Sequence, residues 1–208
     1  MTLKEYNLVK DLTYTEYCNY LQLKYGTGRS AYFYPNFQPN PKCKRTKEGL
    51  FAHHKKEDQM ILLSTPEIAE QFPFEWQEPD EIVYCDYLEH LLLHILICKY
   101  PNPIDPAIEV GLGGIINFLV PELNDIYSGW RPKNIPRNQW QYNCINLIEK
   151  DKAVYLAILQ DFIDFEIQNN KNFRVYSLLS SFNAKLGWNL KNNKQIFTAI
   201  KRMGGKKL

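Results

Sequence analysis

The chain has 208 residues, of which 45% are hydrophobic and 14% aromatic, and its formal net charge is +2 at pH 7. This composition excludes a disordered chain and indicates a globular protein. No apolar run reaches about 18 residues and the first residues contain no signal-peptide core, so we expect a cytoplasmic protein that does not enter a membrane. The five cysteines contain no C-x-x-C pair, which indicates neither a disulfide framework nor a zinc ribbon.

The first region, residues 1–41, contains a predicted amphipathic helix over residues 14–25. Gly26 is placed to end this helix, because glycine is the usual residue just after a helix C-terminus. An aromatic run follows at residues 32–34. These rings could stack on nucleobases or belong to the core, and the sequence leaves both interpretations open.

The second region, residues 42–100, begins with a basic cluster around a short predicted strand. The strand ends in His53 and His54. Because neighbouring strand residues point to opposite faces, one imidazole can face a metal ion and the other a substrate. The basic residues on both sides of the strand are Lys42, Lys44, Arg45, Lys47, Lys55 and Lys56.

A second strand and a helix are predicted further along this region. Residues 82–85 are apolar and partly β-branched, which favours a strand. Asp86 can cap a helix over residues 87–97, with Glu89 at the position that completes a capping box. A short helix, residues 66–71, lies in the connection between the strands.

All four histidines of the chain lie in this region. His90 and His94 are four residues apart on the predicted helix, so their imidazoles lie on one face. Together with His53 and His54 they predict one shared site.

This order of strand, connection, strand and helix resembles the HNH, or His-Me finger, nucleases. The resemblance is closest to the branch in which a His-His pair closes the first strand and a His-x3-His pair lies on the helix. It implies that His54 is the general base and that His53, His90 and His94 hold one divalent ion. Glu81, nine positions before His90, stands where family members carry an Asn.

The chemistry of phosphodiester hydrolysis suits these residue types. Neutral His54 can accept a proton from water near physiological pH, and a divalent ion (Mg, Mn, Ni or Zn) can stabilise the departing oxygen. Arg45 or Lys47 could hold the scissile phosphate. Asp80 or Glu81 could add a carboxylate ligand or orient a histidine, although Glu81 could equally be a solvated turn residue.

The third region, residues 101–208, is predicted to be helical after a proline-rich boundary. Every charged residue after Glu166 is basic, and Lys194, Lys201 and Arg202 lie on the outer face of the last predicted helix. The last two helices could form a helix-turn-helix that docks on DNA, or a cap that braces the finger. The predicted helices are residues 115–119, 121–127, 151–168, 175–186 and 191–203, with a loop over residues 128–139.

The sequence therefore predicts an α+β fold, in which a ββα-metal (His-Me) finger is embedded in a mostly helical domain. The predicted function is a metal-dependent HNH endonuclease that hydrolyses DNA, with cutting of RNA and homodimerisation left open. The alternatives are a non-catalytic nucleic-acid-binding or inhibitor protein that keeps the finger as scaffold, and a structural zinc protein. Residues expected to contact the nucleic acid are Lys42, Lys44, Lys55, Lys56, Lys194, Lys201 and Arg202.

Overall fold

A computed structural model of the chain describes residues 1–179 and 190–204. These residues form a mostly helical α+β structure with one two-stranded antiparallel sheet, which confirms the predicted α+β, mostly helical class. The ββα-metal finger within it stays a prediction. The strands are β1 (Phe51–His54) and β2 (Ile82–Cys85). The helices are α1 (Leu3–Val9), α2 (Tyr14–Tyr25), α3 (Pro66–Ala69), α4 (Tyr87–Lys99), α5 (Leu112–Gly114), α6 (Val120–Tyr127), α7 (Ile135–Ile148), α8 (Lys152–Asn169), α9 (Tyr176–Leu179) and α10 (Leu190–Met203).

The two strands pair so that the histidines end β1 where β2 begins. His53 lies opposite Val83 and His54 opposite Ile82. Gly49 adopts φ +81° in the turn before β1, and a Cβ there would lie 2.7 Å from the carbonyl oxygen of Asn143 in α7. Glycine is therefore needed at this turn, because it alone tolerates both the left-handed backbone and the close approach.

Helix α4 is the central element of the core. Asp86 caps its start by accepting hydrogen bonds from the amides of Leu88 and Glu89, and Glu89 completes the capping box. A helix that is apolar on all sides must be enclosed by other elements. The seven apolar residues from Leu88 to Ile97 are all buried, and α2, α7, α8 and the sheet pack against the helix. This enclosure fixes the positions of the histidines on α4.

One buried apolar cluster draws on all three regions of the sequence. It contains Tyr17 from α2, Leu91 from α4 and Phe162 from α8, each almost inaccessible to solvent. The helix bearing two histidines is thus packed against segments that precede it and follow it in the chain.

The structure differs from the sequence prediction in three places. Helix α1 was not predicted, although Thr2 caps it. The predicted loop over residues 128–139 is wrong in its second half, because α7 begins at Ile135 with a proline in its first turn, a position that proline favours. The two short helices predicted after residue 114 form one helical run, in which the π-helical stretch Ile115–Leu119 joins α5 to α6.

Part of the predicted C-terminal pair of helices lies outside the described residues. Helix α9 covers the start of the helix predicted at residues 175–186, and residues 180–189 are not described. The last predicted helix, residues 191–203, is present as α10. The helix-turn-helix interpretation therefore stays a prediction.

Within residues 1–179 and 190–204, no helix combines the length and the apolar character that crossing a membrane requires.

Removal of the α4 cap should destabilise the protein more than removal of an exposed cap. We expect Asp86→Ala to lower the free energy of unfolding by about 2 kcal/mol or more, because it leaves buried amides without acceptors. Thr13→Ala, at the exposed capping box of α2, should cost about 1 kcal/mol. Urea denaturation of both variants measures the difference, and equal losses would contradict the central role of α4.

Candidate metal centre

Three imidazoles from two elements meet beside the sheet. His53 comes from β1, and His90 and His94 come from successive turns of α4. One nitrogen of each lies within 4.8 Å of the other two, and His53 Nδ1 is 3.2 Å from His90 Nε2. Zinc–nitrogen bonds at a tetrahedral angle place the two nitrogens roughly 3.3 Å apart. The group could therefore hold a metal ion with little movement of these two rings.

Burial keeps these imidazoles neutral near pH 7. Burial lowers the pKa of His94 to about 4. It also holds the pKa values of His53 and His90 well below the ordinary value, and the neighbouring imidazoles lower them further. Metal ligation requires neutral imidazole, so the site is in the protonation state that a metal ion needs.

A hydrogen-bond chain through Tyr14 orients His53. The Tyr14 hydroxyl lies 3.0 Å from His53 Nε2 and 3.2 Å from the carbonyl oxygen of His54. The hydroxyl has one proton, which it can donate to the carbonyl while accepting the Nε2 proton of His53. That arrangement leaves the lone pair of His53 on Nδ1, which faces His90. Such outer contacts commonly fix the tautomer of a ligating histidine.

Glu57 is a fourth group at this centre, and the sequence analysis did not identify it. A turn of 3-10 helix, Lys55–Asp58, follows β1 directly and brings this side chain back over the strand. Glu57 Oε2 lies 3.5 Å from His53 Nδ1 and 3.5 Å from His94 Nε2. Burial raises the pKa of Glu57 to about 8. Its spacing of four residues from His53, equal to that between His90 and His94, was the available signal.

A cavity of about 450 Å³ opens onto the centre. Its wall includes His90, His94, Glu57 and Glu109, together with apolar side chains. No lysine or arginine belongs to that wall in the part of the chain that the structure describes. The cavity is completed by Ile61, Leu62, Ser64, Gly111, Gly113, Gly114, Asn117, Phe118 and Leu119.

His54 lies on the other face of β1 and is not a member of the three-imidazole group. It is fully buried, its Nε2 proton is donated to Gln77 Oε1 over 2.9 Å, and its ring packs on Tyr32 with centroids 4.3 Å apart. Burial lowers the pKa of His54 to about 4. Its Nδ1 lies 4.0 Å from Glu57 Oε1, so Glu57 is adjacent to both histidines of the pair.

Two predicted site residues are engaged elsewhere in the fold. The guanidinium of Arg45 donates hydrogen bonds to the Glu48 carboxylate and the Tyr25 carbonyl oxygen, and it stacks on the Tyr84 ring at 4.7 Å. The Glu81 carboxylate lies 3.8 Å from Lys56 Nζ, at the start of β2. Neither side chain belongs to the three-imidazole group.

The other predicted basic residues are mostly at the surface. Lys55 Nζ donates to the carbonyl oxygen of Asp80 over 3.2 Å and is half-buried. The exposed ones are Lys42, Lys44 and Lys47 before β1, and Lys194, Lys201 and Arg202 on α10.

Comparison of the chain with family models, with curated proteins and with solved structures gave no match. The functional argument therefore depends on the residues and geometry of the centre.

Burial of the histidines gives the metal-free protein a characteristic dependence on pH. Unfolded histidines bind protons near pH 6.5, whereas folded His54 and His94 bind them near pH 4. The unfolded state therefore binds more protons between these values, and stability falls as the pH falls through this window. Each of these two groups contributes about 3 kcal/mol over the whole window.

Glu57 acts in the opposite direction, because its pKa is raised from 4.5 to about 8. The folded state binds this proton first, so stability rises as the pH falls from 8 towards 4.5. Glu89, whose pKa burial raises to about 7, acts in the same direction as Glu57. The lowered pKa values of the four histidines outweigh these two carboxyls below pH 6.5. We expect urea denaturation in the presence of a chelator to show the highest stability near pH 6.5 and a loss on the acidic side. A flat profile there would contradict neutral buried imidazoles.

Proposed function

We propose that this chain is a metal-dependent nuclease of the HNH type, which hydrolyses phosphodiester bonds in DNA. The observation that carries this proposal is the meeting of His53 from β1 with His90 and His94 from α4. Strand, strand and helix are the elements of the ββα-metal finger, and three imidazoles on the first strand and the helix are the ligands that such a finger would use for a single ion. The finger remains a proposal that this geometry supports.

The donor set indicates which ion the centre would bind. Imidazole nitrogens suit zinc, nickel and other first-row transition metals, whereas magnesium prefers oxygen ligands. Zinc or nickel therefore fits His53, His90 and His94 better than magnesium does, and manganese is intermediate. When bound, such an ion would polarise a phosphate oxygen and stabilise the leaving group.

The general base implied by the resemblance is His54. Because its Nε2 proton is donated to Gln77, its lone pair is on Nδ1, on the side of Glu57. His53 has a different role, because the hydrogen bond between its Nε2 and Tyr14 keeps its Nδ1 facing α4. The two neighbouring histidines are thereby assigned different roles, as the alternation of a strand requires.

Basic and aromatic groups beside the centre support a nucleic-acid substrate. A second cavity, of about 470 Å³, shares Ser64 with the cavity at the histidines. Its wall includes Lys44, Tyr32 and the half-exposed Trp140. Lysines neutralise phosphates and aromatic rings stack on bases. A nucleic-acid strand that passes over Ser64 from one cavity to the other would therefore make both kinds of contact.

A non-catalytic nucleic-acid-binding or inhibitor protein is the second candidate. The observation that favours it is the complete burial of His54, whose ring is held between Tyr32 and Gln77. A general base must reach the water that it deprotonates. If the pair at the end of β1 only stabilises the fold, the finger would serve as scaffold.

Cleavage of supercoiled plasmid separates these candidates. The purified protein is freed of metal and incubated with plasmid and Mg, Mn, Ni or Zn. We expect nicking with a transition metal, loss of nicking in His90→Asn, and a decrease of about a hundredfold or more in His54→Gln. Replacement of the exposed Lys150 by alanine is the control and should leave the rate unchanged.

Other outcomes would reject the proposal. DNA binding without cleavage under any metal would favour the non-catalytic candidate. Tightly bound stoichiometric zinc, whose removal unfolds the chain and which supports no cleavage, would indicate a structural zinc protein.

The hydrogen bond from His53 to Tyr14 should influence metal affinity. We expect Tyr14→Phe to weaken binding of zinc about tenfold or more, because His53 loses the partner that holds its tautomer. Tyr17→Phe is a matched control on the same helix, since its buried hydroxyl has no hydrogen-bond partner among the described residues. Calorimetric titration of both variants measures the effect, and equal affinities would show that Tyr14 does not orient the ligand.

A further inference from the structure

We propose that Glu57 is the fourth protein ligand of the ion, through its Oε2 atom. This inference depends on the metal centre of the proposed function. It adds to that centre a residue that neither the spacing of the histidines nor the resemblance to the finger nucleases assigns. The ligand set would then be three imidazoles and one carboxylate.

The distances around Glu57 are those expected between two ligands of one ion. Its Oε2 lies 3.5 Å from His53 Nδ1 and from His94 Nε2. Two ligands at ordinary zinc bond lengths and a tetrahedral angle are roughly 3.4 Å apart. The carboxylate is not within 4.8 Å of all three nitrogens, so coordination requires its side chain to rotate towards His90. Its position on the cavity wall, with 16% of the side chain exposed, allows that rotation.

The charges around Glu57 indicate a cation as its partner. No lysine or arginine lies within 4.0 Å of its carboxylate in the described part of the chain. The titratable groups that lie within 4.0 Å of it are the imidazoles of His53, His54 and His94. A buried carboxylate without a positive partner is costly. A divalent ion held by these imidazoles would supply the missing charge.

The segment that directly follows β1 positions this carboxylate. Glu57 lies on the turn Lys55–Asp58, which begins at the residue after His54. The end of β1 and this turn therefore present His53 and Glu57 as one unit, while α4 presents His90 and His94 as another. Two pairs with the same spacing of four residues would enclose the ion from two sides.

Titration with cobalt(II) in the absence of DNA tests the inference, because cobalt spectra report the ligands directly. The wild type is compared with Glu57→Gln and Glu57→Cys. The control is Glu109→Gln, the same substitution at a second glutamate of the same cavity wall. We expect Glu57→Gln to weaken cobalt binding about tenfold or more and to shift the visible bands. Glu109→Gln should leave the bands unchanged.

Glu57→Cys provides a positive signal. A cysteine that coordinates cobalt adds a thiolate-to-cobalt band in the near ultraviolet, and the wild type, with its five cysteines, sets the baseline. Appearance of this band would place residue 57 in the coordination sphere. Circular dichroism of each metal-free variant verifies that the fold is retained.

Two results would overturn the inference. Equal weakening by Glu57→Gln and Glu109→Gln, with the wild-type spectrum retained, would show that the Glu57 carboxylate acts through its charge alone. Wild-type cobalt affinity in folded Glu57→Gln would exclude the Glu57 carboxylate as a ligand. Failure of the wild type to bind cobalt would reject the metal centre itself, whereas metal binding without DNA cleavage would reject only the nuclease.

Discussion

The packing of β1 against the fully enclosed helix α4 is the contact on which the centre depends. Helix α4 has almost no exposed side chain in its middle, so it cannot rotate to expose or withdraw His90 and His94. The strand is fixed in the same way by its register with β2, which places His53 opposite Val83. Three imidazoles are thus held close together by elements that are themselves fixed by apolar burial and strand pairing.

The distribution of charge around the centre restricts how a polyanion could approach it. The cavity at the histidines has two carboxylates on its wall, Glu57 and Glu109, and the described residues that line it include no cation. A phosphate would meet no positively charged side chain on the described wall of this cavity, so a bound ion would have to supply the attraction. Lys44 lines the neighbouring cavity, which shares Ser64. Lys44 would therefore attract a nucleic-acid strand at one cavity, and a bound ion would attract the scissile phosphate at the adjacent one.

The sequence predicted those parts of the fold that are specified locally. Strands β1 and β2, helix α2 and the cap of α4 follow from patterns a few residues long, and the structure has them within a residue or two. The positions of the four histidines in the sequence predicted one shared site, and the resemblance to the finger nucleases selected His53, His90 and His94, which the structure brings together. The engagement of Arg45 with Glu48 and Tyr25 could not be predicted in this way, because it depends on where α2 ends relative to the turn before β1.

The positions of His54 and Glu57 show why a sequence pattern identifies candidate site residues more reliably than it assigns their roles. Alternation along β1 correctly separates the faces of His53 and His54, but it cannot tell that Tyr32 and Gln77 close over the second face. The 3-10 turn after β1 then returns Glu57 between the two faces, with Oε2 near His53 and Oε1 4.0 Å from His54 Nδ1. Any movement of this carboxylate must therefore also change the surroundings of the His54 lone pair. The two histidines lie on opposite faces of β1, and Glu57, three residues after His54, lies near both of them.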